Sequence, residues 1–297
     1  MAEGWEPRLI EEAQAPPEVR GVLEEAAPVL RSTWTPDLLR ALAAWPELLG
    51  DAWAQLAPNL RTRFFEESAD RVRLKAVEEA APLVAKRLAG APAPGEWQAE
   101  GELVAAIDGY HYVYPKVLLA AAARFEALRG AEPGFGPLAT EELSEVPLGA
   151  PEGMAPLAPP AEDDLSPEAR SLLARLRALL EAPVLPEVFA TVARWPEALQ
   201  NLWDLVGAAR TLDGYGARVN DLAEFARRQS HYLPYGLDLP PHKLIGMGLR
   251  PQVVASALNY FEATLAEAVL LVAALEVIFR GHPAARNSPF PVPELRS

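Results

Sequence analysis

The sequence contains no cysteine. That absence removes disulfides, thiolate zinc sites, iron–sulfur clusters and cysteine nucleophiles together, and with them any thiol peroxidase chemistry. It is compatible with a reducing cytosol. No stripe of Lys and Arg interrupts a surface whose formal net charge is −14. Such a surface repels phosphate backbones and anionic lipid, so nucleic acid and membrane are not expected partners. The residues Met1 to Pro7 have neither a basic head nor an apolar signal core. The longest apolar run, Ala268 to Leu275, lies between Glu267 and Glu276 and is too short to span a bilayer. A soluble, cytoplasmic protein is the expectation. No Gly-rich phosphate loop follows a strand pattern, and no Gly-x-Ser-x-Gly elbow is present, so nucleotide binding and a serine hydrolase triad are unsupported. Beyond His111, the histidines are His231, His242 and His282. They lack the spacing of a helical metal pair and read as surface or structural residues. No metal and no cofactor are expected.

No β-branched alternating run occurs either, and almost everything periodic has the helical period. Leu48, Leu49, Ala52, Trp53 and Leu56 form one apolar stripe; Leu172, Leu173, Leu176, Leu179 and Leu180 form another. Ser166 followed by Pro167 opens a helix as N-cap and first residue, and Thr35-Pro36-Asp37 reads as a similar opening. Pro46 and Pro196 each stand where one short helix ends and the next begins. Gly130 and Gly281 are candidate C-caps. With half of its 297 residues hydrophobic, the chain can bury a substantial core. The fold class is all-α, with about six helices per repeat.

The repeat is the chain's most informative positive feature. Trp45-Pro46-Glu47 reappears as Trp195-Pro196-Glu197, 150 residues later. At the same offset Trp53 pairs with Trp203, and Pro17-Glu18-Val19-Arg20 with Pro167-Glu168-Ala169-Arg170. From 17 to 53 the copies align without a gap, 12 of 37 positions being identical. The register returns late, where Tyr110 falls on Tyr260. Two such copies are expected to pack as an intramolecular pseudo-dimer, monomeric as a chain or further assembled as a homodimer. The expected organisation is a first helical repeat over 1–131, a Pro-rich linker over 132–164 and a second repeat over 165–297. The linker has little capacity for helix, yet it carries Leu148, Met154 and Leu157 and is expected to lie on the body.

Candidate site residues fall where the copies differ. The run Asp108-Gly109-Tyr110-His111-Tyr112-Val113-Tyr114-Pro115-Lys116, ahead of a break expected at Pro115, brings polar tips to an apolar segment, as ligand pockets need. Its counterpart has Phe261 for His111 and Glu262 for Tyr112. One shared, asymmetric pocket is one reading; aromatic packing with hydroxyls bonded to backbone is the plainer one. The matched Trp-Pro corners read as structure, with indole plugging a helix–helix corner. Asp37 and Glu187 open equivalent helices, where an acid complements the helix dipole; a general base there would need burial and a raised pKa.

The duplicated all-α chain resembles the group I 2-haloacid dehalogenases, the DehI family, over nearly its whole length. The resemblance is carried by Arg31-Ser32-Thr33-Trp34, the corner at Trp195-Pro196, Tyr114-Pro115-Lys116 with Leu118-Leu119, Pro151-Glu152-Gly153-Met154, and Ser288-Pro289-Phe290-Pro291. It implies two helical repeats facing across a small-molecule pocket, and hydrolysis of 2-halocarboxylic acids of both configurations. In that chemistry an aspartate assisted by an asparagine activates water, with no covalent ester. The resemblance places the aspartate on Val188 and the asparagine on Tyr114, neither of which can do that work. It places the pocket tryptophan on Trp34, a neighbouring phenylalanine on Asp37, and a pocket tyrosine near Phe261, beside Tyr260. The expected pocket is therefore Trp34, Tyr110, Tyr114, Val188, Tyr260 and Phe261, for a small ligand, possibilities including a small carboxylic acid. Loss of a general base costs a factor of roughly 10² to 10⁴ in rate, so the implied hydrolase activity is altered or lost. Two alternatives stay open: an active dehalogenase with a base relocated to Glu187 or His111, and a non-catalytic helical binding or scaffold protein. Against Glu187 stands geometry, since neighbours on a helix point about 100° apart.

Overall fold

A computed structural model describes residues 8–88, 101–134, 143–157 and 159–292. The N-terminal residues 1–7 and linker residues 135–142 lie outside the described residues. The described chain is helical, apart from an isolated bridge between Thr62 and Glu145. Before the linker come α1 (Pro17–Leu30), α2 (Asp37–Leu42), α3 (Pro46–Leu60), α4 (Arg63–Leu88) and α5 (Gly101–Leu128). After it come α6 (Pro167–Leu180), α7 (Glu187–Val192), α8 (Pro196–Arg210), α9 (Tyr215–Ser230), α10 (Pro241–Gly246), α11 (Pro251–Arg280) and α12 (His282–Ala285). Three helices of the first half and three of the second have both ends displaced by 150 residues: α1 with α6, α2 with α7, α3 with α8. The described helices thus number five and seven, not six and six. The two further helices described in the second half are α10, in the irregular stretch after α9 stops at Ser230, and the short α12 after α11; residues 89–100, which precede α5, lie outside the described residues.

Proline starts six of these helices, at Pro17, Pro46, Pro167, Pro196, Pro241 and Pro251. Its φ suits the first turn, and its missing N–H is one the helix could not have used. The Ser166 hydroxyl accepts from Ala169 N, 3.1 Å away, as an N-cap should. Thr35 does not do the same. Its hydroxyl donates back to Leu23 O, and α2 has no side-chain cap of its own. Gly130 and Gly281 take positive φ just past α5 and α11.

The core is built on α5 and α11, which pack along each other and against α4 and α9. Every residue from Gly109 to Arg124 of α5 is buried, and so is every residue from Ala268 to Ile278 of α11. A helix apolar on all sides belongs inside. Pro115 does not break α5; the helix runs through it. An interior proline loses a hydrogen bond and costs about 3 kcal/mol in an exposed helix, but here burial on every side holds the helix on both flanks of the ring. The linker lies on the first half in part. Met154 and Leu157 are buried, and Leu157 N and Ala155 O bond the Thr33 hydroxyl. Leu148 stays exposed.

Candidate functional site

The N-termini of α2 and α7 meet at the centre, against α5. The Glu187 carboxylate accepts from Asp37 N through Oε1 (2.6 Å) and from the Tyr114 hydroxyl through Oε2 (2.8 Å). The Tyr114 oxygen in turn accepts from Val188 N at 3.0 Å. Glu187 therefore caps not its own helix but the equivalent helix 150 residues earlier. The 100° separation of neighbours does not put Glu187 outside. Five of the six residues of α7 are buried, Glu187 at 5% and Val188 at 2% exposure among them, so both face protein.

Aromatic rings extend the site. Trp34 meets Tyr110 edge-on and Tyr110 meets Tyr114 tilted, each with 4.9 Å between ring centroids. The Tyr110 hydroxyl pairs with Thr191 at 2.7 Å. The buried indole N–H of Trp34 has no hydrogen-bond partner. Across the site, the Tyr260 hydroxyl donates to Val184 O, and its ring packs edge-on against Phe261.

Burial sets the protonation of these groups. It raises the Asp37 carboxyl well above the usual range, and the facing Glu187 charge raises it further; Arg40, at 2.8 Å from Asp37 Oδ1, opposes this without reversing it. Desolvation and then Glu187 likewise keep Tyr110 and Tyr114 as neutral phenols. The centre thus brings together two carboxyl groups from equivalent helices, of which burial raises Asp37.

Two spaces reach this centre. An inner one of about 20 Å³ lies between Asp37, Glu187, Tyr260 and Phe261, with Val117 and Thr264 beside them. That is room for about one water. An outer cleft of about 480 Å³ opens between the ends of α6 and α7 and the faces of α9 and α11, and shares Pro186, Tyr260 and Thr264 with the inner space. The charged residues along both are Asp37, Glu187, Glu181 and Glu267; among the described residues no Lys or Arg lines either.

His111 is elsewhere. It is buried on the face of α5 turned to α4 and α12, 3.2 Å from Arg73 Nη1 and 3.3 Å from Ala285 O. Burial first and the Arg73 charge second push it down to about 3, so it stands neutral at ordinary pH, away from Glu187. Residues one apart on a buried helix face different neighbours, which is why the tyrosine-rich run divides: Tyr110 and Tyr114 face the centre, while His111 and Tyr112 face α4. Of the other histidines, His231 pairs with Glu126 and His282 lies 3.4 Å from Glu78, both at the surface, and His242 is exposed. Among the described residues no group of three or more His, Asp or Glu is placed to hold a metal ion, and no helix is long and apolar enough to cross a membrane.

Thr191 is the site residue that sequence reasoning passed over. Its counterpart is Ala41, so a difference between the copies marked it.

No protein-family model matches the chain. A configuration-inverting 2-haloacid dehalogenase of Alcaligenes xylosoxydans xylosoxydans is 30% identical over 284 residues, covering 93% of this chain and 94% of the relative. A second configuration-inverting 2-haloacid dehalogenase, of Pseudomonas sp. (strain 113), is 30% identical over 183 residues, 58% of this chain and 57% of the relative. Among solved structures, a D-2-haloacid dehalogenase mutant in complex with D-2-CPA superposes with a TM-score of 0.81 at 20% identity, covering 92% of this chain and 96% of that one. A D-2-haloacid dehalogenase in complex with L-LA gives 0.77 at 19% identity, covering 93% and 96%. The shared fold is that of all-α dehalogenases, and by sequence the chain belongs to the family of configuration-inverting 2-haloacid dehalogenases.

Proposed function

We propose that this member keeps a small-molecule site between α2, α5, α7 and α11 but does not hydrolyse 2-haloacids by the family's water-activating pair. Its ligand is a neutral or cationic small polar molecule. One observation carries this reading: Glu181, Glu267, Asp37 and Glu187 stand along the outer cleft and the inner space, and no described Lys or Arg does. A 2-haloacid is an anion, and among the described residues no Lys or Arg along these spaces is placed to receive its carboxylate. Val188 and Tyr114, at the positions where the resemblance puts the base and its partner, offer no carboxylate and no amide.

The test is halide release from both enantiomers of 2-chloropropionate, with 2-chloropropionamide as a neutral analogue. The acids are expected to react at no more than roughly 10⁻² of a typical enzymatic rate, the loss expected when a general base is removed. The amide is expected to raise the melting temperature more than either acid. Release from the acid at a normal turnover would overturn the reading.

A second reading has its own support. The Tyr114 hydroxyl is bonded to Glu187 beside a space the size of one water, which suits a base moved one residue from Val188. It requires Glu187→Gln to abolish halide release while Glu187→Asp retains part of it. Activity untouched by Glu187→Gln would exclude Glu187 as that base.

A further inference from the structure

A second charged cluster lies on the far side of α5, apart from the centre just described. The Lys116 ammonium is buried, 2.5 Å from Glu66 Oε1 and 3.0 Å from Leu30 O, and it stands 3.7 Å from the centroid of the Tyr112 ring. The Tyr112 hydroxyl donates to the other oxygen of Glu66, at 3.0 Å. Arg31 is buried too, and its Nη1 reaches Glu66 Oε2 only at 3.7 Å. Arg31 Nε and Nη1 have no hydrogen-bond partner. Two buried cations therefore share one carboxylate. Beside them opens a cleft of about 400 Å³, lined by Glu66, Tyr112 and Lys116 and bounded by Phe290 of the C-terminal segment. Its other charges cancel in pairs, Arg63 with Glu67 and Arg73 with Asp70, each at 2.7 Å, leaving only the exposed Arg71.

An uncompensated charge held out of water costs several kcal/mol unless something neutralises it. In a protein of net charge −14 a buried cationic excess is a local exception, and an anion in the cleft would be attracted to it from beside Lys116, the one of the two cations that lines the cleft. We infer that the cleft between α4, Tyr112, Lys116 and Phe290 is a binding site for a small monovalent anion, a carboxylate or halide, drawn there by the positive charge that Arg31 and Lys116 leave in excess of Glu66. The C-terminal half has no equivalent. At the 150-residue offset Arg31, Tyr112 and Lys116 become Glu181, Glu262 and Ala266. The site belongs to one half alone, and it is independent of the reading given for Glu187.

Bromide tests it on the full chain. In a buffer of bulky anions, bromide is expected to raise the melting temperature saturably and to show an excess NMR linewidth that formate displaces. Arg31→Met should abolish both effects and, by removing the unpaired charge, should raise the melting temperature in the absence of bromide. Glu187→Gln should leave the bromide response intact, which separates this cleft from the central site. If Arg31→Met fails to fold, the linewidth and its displacement by formate in the unsubstituted protein still decide. A bromide effect that is linear and equal in all three proteins, no excess linewidth, or a linewidth lost in Glu187→Gln alone would overturn the inference.

Discussion

Burial acts on Glu187 and His111 in different ways. Glu187 is buried where it accepts hydrogen bonds from Asp37 N and the Tyr114 hydroxyl. His111 is buried beside Arg73, which suits only a neutral ring. Its folded pKa of about 3 lies below the usual 6.5, so between those values the unfolded chain binds more protons than the native one. Stability contributed by neutral His111 is therefore present above pH 6.5 and is lost as pH falls towards 3. Replacing it by the residue its counterpart carries, His111→Phe, should flatten the acid limb. The difference between the two proteins should change by up to about 5 kcal/mol between neutral and strongly acid pH, measured by urea unfolding across the range. A second residue-scale expectation concerns Tyr114→Phe. It removes a donor to Glu187 and an acceptor from Val188 N, and should cost about 1–3 kcal/mol because both partners stay buried. That Asp37 and Glu187 share the 150-residue offset was readable from the sequence. That Glu187 caps the other helix was not, because the offset says nothing about which way a side chain turns.

The helices themselves follow from local chemistry: proline at first positions, apolar stripes of the helical period, glycine past the ends. Ser166→Ala should cost about 1 kcal/mol through the lost cap, read from the shift in denaturant midpoint. Tertiary contact takes over where an element touches another. Gly109 sits inside α5, where alanine would ordinarily gain up to about 1 kcal/mol in propensity. A Cβ there would come within 2.9 Å of Leu157 Cδ1 from the linker. Gly109→Ala should therefore give no gain or a loss by itself, and a gain when Leu157→Ala is already present. A double-mutant cycle measures this, and equal effects in both backgrounds would disprove the coupling. Pro115 teaches the same point: the residue that breaks an isolated helix is carried inside one buried on all sides.

At the scale of the whole molecule, the irregular stretch after α9 clasps the two halves. The Asn59 side chain bonds both the N–H and the carbonyl of Tyr235, each at 2.9 Å, and Leu237 N donates to Pro133 O. Gly134 lies under this stretch at φ +102, and a Cβ there would meet Tyr235 O at 2.5 Å and Gly236 Cα at 2.7 Å. Backbone cannot step aside as a side chain can. Gly134→Ala should cost well over the roughly 1–2 kcal/mol expected at Gly130, which also has positive φ but open space around it. Comparing the melting temperatures of the two variants tests the clasp.

The all-α class, the 150-residue echo, most helix openings and the absence of thiol chemistry were determined by sequence alone, because each rests on periodicity, backbone restriction or residue type. The family was legible as well, from motifs in order along the chain. Only the tertiary structure decided that Glu187 turns inward beside Tyr114, that His111 faces Arg73, and that four acids and no described Lys or Arg stand along the spaces at the centre. Those outcomes depend on burial and on partners 38 to 150 residues away. No local pattern encodes which of two adjacent side chains on a fully buried helix meets which neighbour.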